Sequence, residues 1–163
     1  MPKHLPLLLI LLVYLVVGAL YAVYTPAWQT PDEPAHYNYV RQLAAGRLPV
    51  MEAGDYDEQY RGEVVASRFA PGYQVESLTY EDWQPPLYYL LQTPVYRLSG
   101  ASLLAMRLFS VALGAAVVAL AYGVAGRLFA GRPWLVWTVA VFVAFLPQHV
   151  AILASVNNDS LAE

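Results

Sequence analysis

Cysteine is absent from the 163-residue chain, which excludes a disulfide framework, a thiolate metal site and a cysteine nucleophile, and leaves the redox state of the compartment unreported. Charge is scarce too: 13% of the residues are Asp, Glu, Lys or Arg, against roughly 25% in a soluble domain. The formal net charge of −3 argues against a nucleic-acid partner. There are no internal repeats and no low-complexity tracts. What fills the chain instead is apolar, with 58% hydrophobic residues and a mean hydropathy of +0.43, the composition of a membrane protein. The few charges are also unevenly spread, since ten of the twelve acids lie between Asp32 and Asp82.

The fold class this pattern predicts is all-α: a polytopic transmembrane helix bundle with two short interfacial helices in a large extracytoplasmic loop. Three stretches have the length a bilayer's hydrocarbon requires: residues 5–24, 101–126 and 133–156. A secretory signal peptide would have a shorter apolar region of roughly 7 to 15 residues and a small-x-small cleavage site, which Ala19-Leu20-Tyr21 fits poorly. Pro147 interrupts the third stretch and predicts a kink there. Lys3, Arg127 and Arg132 lie in short segments without acids, so the positive-inside rule puts them, and the N-terminus, on the cytoplasmic side. Residues 25–100 are then extracytoplasmic, and the protein is multi-pass in a plasma or inner membrane. Tyr21, Tyr24 and Trp28 mark one edge and Trp134 and Trp137 the other, as interfacial aromatics do. The sequence stops at Glu163 soon after the third stretch, without a polar tail, and is expected to be the N-terminal part of a longer protein.

A structureless loop of this length is uncommon unless it is functional. Thr30-Pro31-Asp32-Glu33 has the form of a capping box, with Thr30 as N-cap, Pro31 at N1 and Glu33 at N3. A helix is expected from there through Ala45, stopping at Gly46. Residues 49–82, rich in acids, glycine and tyrosine, show no sustained period and read as an irregular excursion. A dozen apolar residues after Pro86, interrupted by Pro94, are too few to cross a bilayer and suit an interfacial or re-entrant helix.

Four constellations are candidates for chemistry. In Pro31-Asp32-Glu33-Pro34-Ala35-His36, two carboxylates sit where a helix N-terminus favours the anion. Asp32 and Glu33 are the candidate catalytic residues, with Asp32 as a general base toward a hydroxyl. The same residues also admit a divalent cation held by Glu33 and His36, or simple capping. Arg107, two turns into the second span, is costly there unless paired or facing a polar cavity; it is a candidate phosphate ligand, whereas Arg97 reads as snorkelling. Trp83 and Gln84, followed by Pro85-Pro86, and Tyr88 and Tyr89 combine flat rings with hydrogen-bonding groups and suit a sugar ring or a membrane interface. Asn157-Asn158-Asp159 either caps a following helix or joins Asp32 in a site.

Taken in order, Pro-Asp-Glu-Pro-Ala-His (31–36), Gln-Pro-Pro-Leu-Tyr-Tyr-Leu-Leu (84–91), Arg-Leu-Phe-Ser-Val-Ala-Leu-Gly (107–114) and Asn-Asn-Asp-Ser-Leu-Ala (157–162) make the chain resemble the N-terminal part of the GT-C superfamily of membrane glycosyltransferases. That group includes protein O-mannosyltransferases and aminoarabinose transferases. The resemblance implies transfer of a sugar from a polyprenyl-phosphate donor to a lipid, glycan or protein acceptor on the extracytoplasmic face, with membrane lipids around it. It also implies an acidic residue of the first outer loop at the active centre, here Asp32 with Glu33 beside it, and in many members a divalent metal. Relatives often carry histidine before the Pro-Pro pair, where this chain has Gln84. On this reading Asp32 deprotonates the acceptor, Arg107 stabilises the departing phosphate, and the aromatics of residues 83–89 line the path. A transporter or flippase component, or a protein that binds a partner through its acidic loop, are the alternative readings.

Overall fold

The computed structural model describes residues 4–162, and these are all helix, turn or irregular chain, without strands. In chain order the helices are α1 (Leu5–Tyr24), α2 (Glu33–Ala44), α3 (Glu58–Ala66), α4 (Leu87–Leu98), α5 (Leu103–Leu128), α6 (Pro133–Phe145), α7 (Pro147–Leu153) and α8 (Asp159–Ala162). Two of them, α1 and α5, are long and apolar enough to cross a membrane. The pair α6 and α7, bent by 58°, makes a third if it is counted as one span. The bend has a local cause. Proline disfavours the α region at the residue before it, and Leu146 is extended (φ −64°, ψ 117°), ending α6 and preceding α7.

α1, α5 and α6 pack side by side. The start of α1 and the end of α5 meet at His4, Pro6, Gly126 and Phe129, and the end of α1 meets the start of α5 at Arg107, so α1 and α5 run antiparallel. One stripe of α5 faces inward, through Met106, Arg107, Ser110, Val111, Gly114 and Val118, the recurrence of a helix with one packed face. Contact there is close enough to need glycine. A β-carbon on Gly114 would run into the Tyr14 hydroxyl, and one on Gly18 would lie 2.8 Å from Cγ1 of Val111.

Above this bundle, α2 packs against α4, and α4 against α5. α2 starts later than the capping-box reading expects: Asp32, not Thr30, is its N-cap, and no side chain caps it. A helix capped by Thr30 would need its first i+4 bond from the nitrogen of residue 34, which is proline and has no N–H. Starting at Asp32, the first such bond is His36 N–H to Asp32 O, 3.1 Å. The C-terminus follows expectation. Gly46 is left-handed (φ +79°), and the bonds from Gly46 N to Leu43 O and from Arg47 N to Gln42 O (2.9 and 3.0 Å) close a Schellman motif.

Residues 49–82 are not wholly irregular. The nine-residue α3 lies within them, capped by the Asp57 carboxylate, which accepts from Tyr60 N–H. Only Val64 of α3 is buried, so its sequence carries no apolar period to announce it. A single 3₁₀ turn, Val75–Ser77, is pinned to α2 by the Asn38 amide, which donates to the carbonyls of Val75 and Leu78 (2.6 and 2.8 Å).

Candidate functional site

At the end of the bundle that carries residues 25–100, Arg107 and Glu33 form a buried ion pair. Their side chains are 4% and 0% exposed. Nε and Nη2 of Arg107 donate to the two oxygens of Glu33 at 2.7 and 2.6 Å, the bidentate geometry that suits a guanidinium and a carboxylate. The other donors serve the frayed end of α1. The carbonyl of Ala22 would normally bond the N–H four residues on, but residue 26 is proline; Nη1 of Arg107 takes it at 3.0 Å and Thr25 O at 2.7 Å, while Nη2 reaches Pro26 O at 3.1 Å. Glu33 in turn accepts from the backbone N–H groups of Trp28 and Val156 (3.1 and 3.2 Å). All five N–H bonds of Arg107 thus have protein partners, which leaves none for a phosphate oxygen. The pair binds α1, α2, α5 and the segment after α7 together.

Asp32, next to Glu33, is placed quite differently. It stands in the left-handed conformation (φ 59°, ψ 4°), uncommon for a side chain other than glycine, and this turns its carboxylate away from the core. Its side chain is 35% exposed. Oδ1 accepts from the Tyr80 hydroxyl at 2.9 Å and lies 3.5 Å from Nη2 of Arg61. Oδ2 has no hydrogen-bond partner among the described residues. Burial, with a further push from the Asp32 charge and an opposing pull from Arg61, raises the Tyr80 hydroxyl to about 12, so it stays protonated and donates. A turn that frees one carboxylate oxygen beside a donor and a cation can accept a proton from a bound hydroxyl. Arg61 and Tyr80 come from the segment read as irregular, and sequence reasoning missed both; the Asp57 cap of α3 is the one local signal that points to Arg61.

His36 is buried one turn into α2, its Nδ1 2.8 Å from the Tyr89 hydroxyl. Burial lowers the imidazole to about 4, with Asp32 pulling partly the other way, so it is neutral at physiological pH. Tyr88 and Tyr89 are core residues. The Tyr89 ring stacks on Tyr39 with centroids 3.8 Å apart, and burial pushes its hydroxyl upward. Tyr88 bonds Ser110 and accepts from the Gln92 amide and the Asn157 N–H (2.7, 2.8 and 3.1 Å). Neither has a free ring face for a sugar. Trp83, by contrast, is 62% exposed, and Gln84 donates to Glu81 and accepts from Asn158 (2.8 and 2.9 Å). Asn157 folds back on the next helix, its Oδ1 accepting from Asp159 N–H at 2.9 Å. Burial raises the Glu81 carboxyl above its ordinary range; the Gln84 bond opposes this, and the charges of Asp32 and Asp159 add to it. Arg97, read as snorkelling, is exposed and donates to Ala44 O at the end of α2 (2.7 Å).

Glu33 and His36 do not fit a metal ion in this arrangement. Both Glu33 oxygens are engaged by Arg107 and backbone N–H groups, His36 is bonded to Tyr89, and no group of three or more His, Asp or Glu side chains among the described residues is placed to hold a cation. No family model, no curated protein and no solved structure matches the chain.

Proposed function

We propose that this chain is the N-terminal part of a membrane glycosyltransferase of the GT-C kind, with Asp32 as its general base. The single observation that carries the reading is the left-handed turn that leaves Oδ2 of Asp32 free at the outer end of a helix bundle; the order of the four motifs supports it. With Arg127 and Arg132 on the cytoplasmic side, that end faces the extracytoplasmic headgroup layer, where the phosphate and sugar of a polyprenyl donor sit while its tail stays in lipid. Asp32 takes the proton of the acceptor hydroxyl. The resulting oxygen attacks the anomeric carbon, the bond from that carbon to the phosphate oxygen breaks, and polyprenyl phosphate leaves with the electron pair. One displacement inverts the configuration. Glu33 and Arg107 hold the turn and touch no reacting atom, so they act as positioning residues.

The test uses membranes bearing the full-length protein and polyprenyl-phosphate donors labelled in the sugar. Label should pass from the lipid to an acceptor. Asp32→Asn should slow that passage by about 100-fold or more while the protein stays folded. Transfer at an unchanged rate by Asp32→Asn would remove the base, and labelled donor crossing the bilayer intact without transfer would favour a transporter or flippase component.

A further inference from the structure

Beside Asp32 the chain forms a cleft of about 260 Å³ between the α1–α2 turn and α3, lined by Trp28, Asp32, Arg61, Val65, Phe69 and Tyr80 among others. We propose that this cleft, and not the surface of residues 83–89, binds one uncharged, hydroxyl-bearing saccharide ring and discriminates against rings that carry a carboxylate or phosphate. The proposal rests on the transferase reading and adds to it the place and the charge class of the sugar.

Three observations carry it. The first is shape and surface. The volume falls just below the roughly 300–1,000 Å³ of a drug-sized site, which suits one ring and not a lipid chain, and three aromatic side chains line it, as flat sugar faces require. The second is polar chemistry. Oδ2 of Asp32 has no hydrogen-bond partner among the described residues, and Nε of Arg61 is buried without one, so an acceptor and an unsatisfied donor belong to one cleft, the pair that neighbouring hydroxyls satisfy. Arg61 is steadied by Tyr80, its guanidinium carbon 5.4 Å from that ring's centre. The third is charge. An anion at Arg61 would stand beside Asp32, only 3.5 Å from the same guanidinium, with Glu81 within electrostatic reach of both. A neutral ring meets no such repulsion. The backbone agrees: of the five non-glycine residues with positive φ among the described residues, Trp28, Asp32 and Phe69 line the cleft and Arg68 adjoins it, and such strain gathers at functional sites.

The experiment is saturation-transfer NMR on the full-length protein in zwitterionic nanodiscs. The probes are methyl glycosides of glucose, galactose and mannose, each paired with its uronate. At least one neutral glycoside should bind, with its uronate about tenfold weaker. Arg61→Gln and Phe69→Ala should abolish the signal, and Asp32→Asn should shrink the neutral-to-uronate difference to about twofold, with unchanged melting as the check on folding. Absence of binding by all three neutral glycosides, a uronate binding as tightly as its partner, or binding unaffected by both Arg61→Gln and Phe69→Ala would overturn the proposal. Adding polyprenyl-phosphate sugar identifies the source: displacement of the glycoside assigns the cleft to the donor's ring, and simultaneous binding assigns it to the acceptor's. Ring binding without transfer in the labelled-membrane assay would sink the transferase reading alone, and transfer without ring binding would sink this inference alone.

Discussion

Contact between α1 and α5 depends on atoms that are missing; the layer that holds α2 and α4 is tied to its surroundings by atoms that are polar. In the first region Gly18 and Gly114 remove side chains so that Val111, Tyr14 and Leu153 can close in. Helices in lipid gain little from apolar burial, so such close approach supplies much of their association. In the second region the elements are joined by named bonds: Tyr39 to Gln84 O, Asn38 to the 3₁₀ turn, Gln42 to Asp82 and Tyr88 to Ser110. The Arg107–Glu33 pair is the seam between the two. Most bonds of the second region join groups that share no local sequence pattern, and there the candidate site lies.

Breaking the seam should have the largest effect on stability. Arg107→Leu leaves Glu33 buried and unpaired and should cost about 3–5 kcal/mol, measured by unfolding in mixed micelles of increasing denaturing detergent. Arg107→Lys keeps the charge but not the fork and should fall between Arg107→Leu and the parent protein. Next comes acid. The folded His36 imidazole titrates near 4, below its ordinary value of about 6.5, so its contribution is complete above pH 6.5 and is lost as the pH falls from there toward 4, amounting to about 3 kcal/mol. His36→Gln should flatten that part of the stability-against-pH curve; an unchanged slope would mean the ring is hydrated.

The first region is tested by Gly114→Ala, which forces a β-carbon against the Tyr14 hydroxyl and should cost about 1–3 kcal/mol by overpacking. Tyr14→Phe should recover part of this loss in the double variant, and equal losses with and without the hydroxyl would place the strain elsewhere. Smallest of all is Trp83→Ala: the side chain is mostly exposed, and thermal melting should shift by no more than about 0.5 kcal/mol in free-energy terms.

The helices long enough to span were legible because hydropathy over twenty residues is a strong signal; the limits of α1 match the apolar run, and Pro147 marks the break. α2 was legible to within two residues, the error coming from the missing N–H of Pro34. What sequence could not supply was pairing. Arg107 was identifiable as a buried charge, but Glu33 lies 74 residues away and its neighbour Asp32 has the same charge, so nothing local says which acid is turned inward. A two-residue difference in backbone conformation decides it, with Asp32 left-handed and Glu33 helical. Arg61 stayed hidden because a helix with one buried side chain leaves no periodic trace, and Tyr80 because it stands in a turn outside any helix. The Tyr88–Tyr89 pair invited a surface reading, since tyrosines at a membrane edge are common, and the stack on Tyr39 became visible only in three dimensions.

The clamp at Arg107 also bears on biogenesis. The side-chain and carbonyl acceptors that hold its guanidinium, on Ala22, Thr25, Pro26 and Glu33, all precede it in the chain. A ribosome therefore delivers every oxygen this arginine requires before the arginine itself emerges. The charge on α5 can therefore be neutralised by the chain that precedes it, without waiting for later helices.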